Sequence, residues 1–257
     1  MALETINGID IDYADVGEGN AVILLHGLGS TKKDWDLQIP VLSQKFRVIA
    51  ADFRAHGNSE KVPKEQSVEL MTEDIYRLMQ FLKINKASFV GFSMGGAVAF
   101  QMALAHPDKV DKLVILNSGP DFNNAKDSGV DILSERTRII KEQGFGTLAK
   151  TISAGMFPEE NQKEWRDEFQ QRIVNNDEDA YLKTFGELMN WGIGERLGEI
   201  PNQTLIIASD MDYTPVDYKK SYTDKMQNAK LVVIENSRHG IVLDQAEKLN
   251  EELLKFL

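Results

Sequence analysis

Short runs of apolar residues recur along the chain and predict β-strands. Residues 6–13 alternate apolar and polar positions around Asn7-Gly8, a dipeptide that favours the tight turn of a β-hairpin. The later runs are rich in valine and isoleucine and are apolar at successive positions, as strands buried on both faces of a sheet tend to be. These later runs are residues 21–25, 48–51, 88–91, 113–117, 204–208 and 231–235.

Apolar positions at helical spacing separate these runs. Such patterns occupy residues 68–82, 96–105 and 245–257, and Pro107 stops the second of them. Strands that alternate with helices predict an α/β fold, with a mainly parallel sheet covered by helices on both faces.

Residues 121–200 break this alternation. They contain four helical patterns and no convincing strand, and they lie between the fourth and fifth candidate parallel strands; the helical patterns are residues 136–143, 148–155, 159–174 and 180–191. The simplest interpretation is an insertion. It predicts a core domain made of residues 1–120 and 201–257, with residues 121–200 as a helical cap over the C-terminal edge of the sheet.

Composition and charge exclude several classes of function. With 42% hydrophobic and 27% charged residues, the 257-residue chain is of ordinary globular composition. No apolar run approaches the ~20 residues of a membrane span. Residues 1–12 lack the basic block and the apolar block of a secretory signal, so we expect a cytoplasmic protein. The absence of cysteine excludes thiol chemistry, and a net charge of −11 disfavours nucleic acid and anionic membranes as partners. No metal-binding or nucleotide-binding motif is present, so we expect no metal and no cofactor.

A strand-to-helix turn carries the strongest chemical signal. Gly91-Phe92-Ser93-Met94-Gly95 matches G-x-S-x-G, after the candidate strand 88–91 and at the start of a helical pattern. A serine on such a turn has a strained backbone and an exposed hydroxyl, and the helix N-terminus directs its positive end toward an anion forming there. The pattern alone occurs by chance, but in this context it predicts that Ser93 is a catalytic nucleophile rather than an incidental serine in a glycine-rich turn.

His239 is the predicted general base. It is the one histidine that combines a loop after a candidate strand with the chain order Ser, Asp, His that accompanies such a serine turn. The other histidines are His26 at the end of the first apolar run, His56 in a polar loop and His106 at the end of a helical pattern.

The acid that orients the base should follow the strand 204–208. Two carboxylates lie there, Asp210 and Asp212, and the sequence favours Asp212, just ahead of Thr214-Pro215. A buried carboxylate at this point fixes the tautomer of the histidine and stabilises the imidazolium that forms. Asp210, nearer the strand end, is the alternative acid or a brace for the loop, and Asp121 is a more distant alternative.

Backbone N–H groups are the predicted oxyanion donors. One belongs to Met94, directly after the nucleophile, and the other to Leu28 in His26-Gly27-Leu28-Gly29, a segment that is otherwise an ordinary glycine turn. Large apolar residues of the insertion either line an apolar acyl pocket or form the core of the cap. These residues are Phe122, Met156, Phe157 and Trp191.

These motifs resemble the α/β-hydrolase superfamily over nearly the whole chain. Besides Gly91 to Gly96, Asp212 and His239, the resemblance includes residues 26–29 and the loop 52–59. Two positions depart from the pattern of the superfamily: Ala55 stands where the loop 52–59 usually has a glycine, and Ser209 stands where a glycine usually precedes the loop of the acid. The resemblance implies an eight-stranded, mostly parallel sheet with a helical cap, and two-step acyl transfer from a small-molecule ester by a monomer or small homo-oligomer. It is greatest to carboxylesterases and to cofactor-free haloperoxidase or perhydrolase-like members.

Related activities of this superfamily stay open. Haloalkane dehalogenases have an aspartate where Ser93 stands, and hydroxynitrile lyases often have a lysine where Gly240 stands, so both are disfavoured. Carbon–carbon bond hydrolases and lactonases have the same set of serine, histidine and aspartate and are alternatives to an esterase. A ligand receptor with slow turnover is the alternative from a different functional class.

Overall fold

One eight-stranded sheet forms the centre of the part of the chain that the computed structural model describes, residues 2–62, 65–123 and 131–257. Its strands are β1 (Ala2–Ile6), β2 (Ile9–Val16), β3 (Ala21–Leu25), β4 (Arg47–Ala51), β5 (Ala87–Phe92), β6 (Val110–Leu116), β7 (Gln203–Ser209) and β8 (Ala229–Ile234). They lie in the order β1-β2-β4-β3-β5-β6-β7-β8. Only the β1–β2 and β2–β4 pairs are antiparallel. The predicted mostly parallel sheet is confirmed.

The hairpin predicted at the start of the chain is present. Ile6 pairs with Ile9 across the turn, and the two turn residues, Asn7 and Gly8, have φ angles of 52° and 83°. Two successive residues with positive φ form the turn type whose twist matches that of the flanking strands.

Helices cover the sheet on both faces. The helices are α1 (Ile39–Leu42), α2 (Val68–Phe81), α3 (Met94–Ala105), α4 (Ile132–Gln143), α5 (Phe145–Met156), α6 (Lys163–Val174), α7 (Glu178–Leu188), α8 (Val216–Thr223), α9 (Ile241–Asp244) and α10 (Ala246–Phe256). Successive strand residues point to opposite faces. Ile23 therefore packs in the apolar cluster with α2 and α3, whereas Leu24 packs in the cluster with α9 and α10.

The four helices α4 to α7 lie between β6 and β7 in the sequence, where the insertion was predicted. Apolar side chains of α5 and α6, such as Met156 and Phe169, join the apolar cluster of one sheet face. The two ends of the insertion meet where Phe122 N–H donates to the Trp191 carbonyl over 3.1 Å. Of the predicted insertion, residues 124–130 lie outside the described residues, and its division from the core as a separate cap stays a prediction.

None of the helices in the described ranges is both long and apolar enough to cross a membrane.

Candidate active site

Ser93 occupies a sharp turn between β5 and α3. Its φ and ψ angles are 53° and −117°, in a region that L-residues rarely adopt. The turn is fixed from both sides, because Ser93 N–H donates to the Leu116 carbonyl (3.0 Å) and Gly96 N–H donates to the Ser93 carbonyl (2.8 Å). Strain of this kind persists only where the surrounding structure enforces it, and it commonly marks functional sites.

The glycines of the turn are required by close backbone contacts. A Cβ added to Gly95 would lie 2.8 Å from the His26 carbonyl oxygen and closer still to that of Leu25. A Cβ on Gly91 would lie 2.7 Å from Gly96 Cα. Helix α3 therefore approaches β3 and β5 more closely than a side chain permits, which brings Ser93 up to the C-terminal ends of the strands.

We expect Gly95→Ala to lower the free energy of unfolding by about 3 kcal/mol, because the added methyl group meets backbone atoms that cannot move independently. Urea denaturation measures this change. Gly146→Ala in the first turn of α5 is the matched control, since among the described residues no heavy atom from outside its own helix lies within 4 Å of the added Cβ. It should leave stability unchanged or raise it by about 0.5–1 kcal/mol. Equal stability of Gly95→Ala and the wild type would contradict the close approach.

Ser93, His239 and Asp212 form a continuous hydrogen-bonded chain. His239 lies in the loop between β8 and α9, with Nε2 3.0 Å from Ser93 Oγ. Its Nδ1 lies 2.5 Å from Asp212 Oδ1, in the loop after β7. A carboxylate accepts hydrogen bonds, so Nδ1 carries a proton. Nε2 of the ring then accepts a hydrogen bond from the Ser93 hydroxyl. The structure thus brings together the three residues that the sequence singled out.

Lys219 contacts the carboxylate oxygen of Asp212 that His239 does not contact. This lysine lies in α8, and its Nζ is 2.6 Å from Asp212 Oδ2 and 2.7 Å from both the carbonyl and the hydroxyl oxygen of Thr214. The side chains of Lys219 and Asp212 are only 0% and 1% exposed. Burial alone would raise the pKa of Asp212, but the charges and hydrogen bonds of His239 and Lys219 outweigh it and hold this pKa well below its usual range.

The two other candidate acids lie outside this chain of hydrogen bonds. Asp210 is exposed and accepts a hydrogen bond from Ser237 N–H (3.1 Å), which makes it a brace for the loop that carries His239. Asp121 accepts from Gly194 N–H (2.7 Å) at the base of the insertion.

The remaining histidines have other contacts. His26 Nε2 accepts from Phe53 N–H (3.0 Å) and its Nδ1 lies 2.8 Å from the Gly27 carbonyl, so this ring braces the loop after β3. Burial lowers the pKa of His56 to about 4, which keeps that ring neutral, and His106 stacks on Tyr76 with ring centroids 3.9 Å apart.

The two predicted oxyanion donors flank Ser93. Met94 is the first residue of α3, where a helix leaves its N–H groups without intrahelical partners. Leu28 follows Gly27, whose added Cβ would lie 3.5 Å from Ser93 Cβ. Within the described ranges, neither the Leu28 nor the Met94 N–H donates to a protein acceptor. The arrangement can therefore accommodate an oxyanion next to Ser93 Oγ.

Contacts from α6 and from the turn after it hold the loop that carries Leu28, and sequence reasoning missed them. Asp34 is buried, accepts from Gly27 N–H (3.3 Å), and pairs with Arg172 of α6 (2.9 Å). Asn176 donates to the Gly29 carbonyl (2.9 Å). The partners lie 138 and 147 residues apart, so no local sequence pattern indicates them.

A cavity of about 500 Å³ opens beside Ser93 and His239. Most of the apolar residues described in its wall come from the insertion, among them Phe122, Ile132, Ile152, Met156, Phe185 and Leu188. Tyr213 also lines it, with its ring stacked on His239 at a centroid distance of 4.3 Å. Such an apolar cavity with a few polar groups at one end is typical of a small-molecule site.

The predicted pocket residues divide between the cavity and the core. Phe122 and Met156 lie in the cavity wall. Trp191 does not line the cavity; its ring is buried in an apolar cluster and its indole N–H donates to Gln101 Oε1 (3.1 Å). Phe157 packs against Phe169 in the cluster on the other face. Helical spacing places all four among apolar neighbours but does not tell which of them face a cavity.

Comparisons with known proteins agree with the fold of this chain. A sequence model of the α/β hydrolase fold family matches residues 20–246. A protein provisionally named carbamate hydrolase RutD, from Agrobacterium fabrum, is 26% identical over 93% of this chain and 94% of its own length. A 2-hydroxy-6-oxo-6-phenylhexa-2,4-dienoate hydrolase from Burkholderia cepacia is 29% identical over 98% of this chain and 92% of its own. The structure of an esterase from Exiguobacterium antarcticum superposes with a TM-score of 0.91 at 24% identity, covering 99% of this chain and 98% of that one.

Proposed function

Because the chain belongs to the α/β hydrolase fold family, we propose that it is a serine hydrolase that cleaves carboxylic esters of small to medium acyl chain length. The hydrogen-bonded chain from Ser93 through His239 to Asp212 carries this proposal, since it joins a nucleophile, a base and an acid that orients the base. The names of the sequence relatives support hydrolysis in general rather than ester cleavage in particular.

Acylation begins at Ser93. His239 Nε2 takes the hydroxyl proton as Oγ attacks the ester carbonyl carbon, and the charge that forms on the carbonyl oxygen is stabilised by the N–H groups of Leu28 and Met94. Asp212 stabilises the imidazolium through Nδ1. The C–O bond to the alcohol then breaks, the alcohol takes the proton from Nε2, and the acyl group stays on Oγ.

Deacylation repeats these steps with water. His239 takes a proton from water, and the hydroxide attacks the acyl carbon. The oxyanion that forms again accepts hydrogen bonds from the N–H groups of Leu28 and Met94. Collapse of this intermediate releases the carboxylic acid, and the proton on Nε2 returns to Ser93. Residues 121–200 act as a cap in this proposal, with Phe122 and Met156 in contact with the acyl chain.

A carbon–carbon bond hydrolase is the second candidate, and the Burkholderia cepacia relative favours it. The same nucleophile, base and oxyanion donors suffice for either reaction. Purified protein should be assayed on p-nitrophenyl esters from acetate to decanoate and on a vinylogous 1,5-diketone. The proposal predicts a higher kcat/KM for the best ester, and a higher value for the diketone would assign carbon–carbon cleavage instead.

Lys219→Met is expected to raise the pKa of Asp212 and so to weaken the dependence of stability on pH in acid. The charges and hydrogen bonds of His239 and Lys219 hold the pKa of Asp212 well below its usual range. The folded protein is therefore stabilised above the pKa that this carboxyl group has in the unfolded chain, and this stabilisation is lost as the pH falls through the lowered pKa of the folded state. Urea denaturation between about pH 7 and about pH 3 should show a smaller fall in the free energy of unfolding for Lys219→Met than for the wild type, whereas Lys219→Arg keeps the charge and should follow the wild type. An equal fall for Lys219→Met and the wild type would contradict a role of Lys219 in keeping Asp212 ionised.

A further inference from the structure

Arg136 places a positive charge in the wall of the apolar cavity. It projects from α4, and one of its guanidinium N–H groups donates to the Tyr181 hydroxyl (2.9 Å). Its central carbon lies 3.9 Å from the centroid of the Phe185 ring. Both of these partners are neutral, and no acidic side chain in the described ranges forms an ion pair with Arg136. The charge is therefore held in position but not neutralised.

Other arginines of the insertion form ion pairs or donate to backbone carbonyls, as Arg166 does to Phe157 (2.8 Å). Arg138, two residues further along the same helix, forms an exposed ion pair with Glu142 (2.8 Å), and the largely buried Arg172 pairs with Asp34 (2.9 Å). Charged groups away from bulk water are as a rule paired, because losing hydration is costly. Arg136 is an exception, and it is partly buried against aromatic rings.

The acidic groups of the same cavity already have partners. Asp212 is engaged by His239 and Lys219, and one oxygen of Asp121 accepts from the Gly194 N–H. The field of Arg136 also reaches the catalytic end of the cavity. Burial raises the pKa of Tyr213, whose ring stacks on His239, to about 12, and the charge of Arg136 opposes this rise. An anion bound at Arg136 would thus lie in the same cavity as Ser93.

We propose that Arg136 binds a carboxylate group of the substrate, so that the preferred substrates are acidic esters rather than neutral ones. This inference rests on the proposed esterase function. The guanidinium presents a planar pair of N–H donors that matches a carboxylate, and the apolar walls strengthen that interaction relative to water. A chain with a net charge of −11 repels anions at long range, so a cation in the cavity that has no ion-pair partner among the described residues favours the binding of an anion there.

Two pairs of esters test the proposal and locate the carboxylate. In the first pair it is on the acyl chain, as in the p-nitrophenyl monoester of adipic acid against p-nitrophenyl hexanoate. In the second it is on the leaving group, as in 4-acetoxybenzoate against its methyl ester. We expect the wild type to prefer the acidic member of at least one pair by about tenfold or more in kcat/KM, as one charge-assisted hydrogen-bonded contact provides.

Arg136→Met should reduce that acidic-to-neutral ratio to about one, and Arg136→Lys should retain part of it. The ratio does not depend on the fraction of protein that is folded. Arg138→Met is the matched control and should leave the ratio at the wild-type value. If the wild type favours neither acidic ester, or if Arg136→Met lowers both members of a pair equally, the inference is wrong while the esterase stands. If no ester is hydrolysed at all, it is the proposed function that fails.

Discussion

Replacing Ser93 with alanine is expected to lower kcat for ester hydrolysis by about 10⁶-fold, while the protein stays folded. The hydroxyl is the group that forms the acyl-enzyme, and no other hydroxyl lies within hydrogen-bonding distance of His239 among the described residues. The positive φ of position 93 is imposed by backbone bonds to Leu116 and Gly96, which alanine leaves intact. The free energy of unfolding should therefore change by less than about 1 kcal/mol.

Steady-state rates on the best p-nitrophenyl ester measure this loss. Ser153→Ala is the matched control, because Ser153 is a buried serine in α5 whose hydroxyl donates to the Lys150 carbonyl (3.1 Å). That variant should hydrolyse the ester at close to the wild-type rate. Retention of more than about one per cent of activity by a pure Ser93→Ala sample would contradict a covalent role for Ser93.

Asp212→Asn is expected to lower kcat by about 10⁴-fold, because an amide can no longer hold the proton on Nδ1 and stabilise the imidazolium. It should also destabilise the protein, which distinguishes this site from one with an isolated acid. Lys219 is fully buried and would lose its negative partner, keeping only the two oxygens of Thr214. We expect the free energy of unfolding to fall by about 3 kcal/mol.

The double variant Asp212→Asn/Lys219→Met separates these two effects. With the unpaired charge removed, stability should recover for the most part, while activity stays as low as in the single variant. Asp210→Asn is the control for the neighbouring carboxylate and should retain most of the activity, since Asp210 is exposed and does not contact His239. A larger loss in Asp210→Asn than in Asp212→Asn would reverse the assignment of the acid.

Features that depend on local pattern were predictable from the sequence. The strands were predicted within one to a few residues of their ends, as for residues 88–91 against β5 (Ala87–Phe92), because apolar β-branched runs reflect burial on both faces. The helices of the insertion were predicted for a similar reason. The chain order of Ser93, Asp212 and His239 sufficed to identify these residues, since the C-terminal ends of parallel strands lie at one edge of the sheet.

Features that depend on tertiary pairing were not predictable. Helix α8 (Val216–Thr223) was missed because its sequence is mostly polar. Lys219 at its centre is a charged residue of the kind that normally lies at the protein surface. Its burial follows from Asp212 and Thr214, which only the fold places around it. Likewise, nothing in the sequence distinguishes Arg136 from the exposed Arg138, or Phe122 in the cavity wall from Trp191 in the core.

Covalent labelling of Ser93 tests the central claim most directly. The native protein should be treated with a fluorophosphonate, digested and analysed by mass spectrometry, with Ser93→Ala treated in parallel. Nucleophilic attack by Oγ expels fluoride and leaves the phosphonyl group on the enzyme. We predict one phosphonyl group per chain, on the peptide that contains Ser93, and none on the variant. Absence of an adduct on the folded wild type, or an adduct on another residue, would contradict the assignment of Ser93 as the nucleophile.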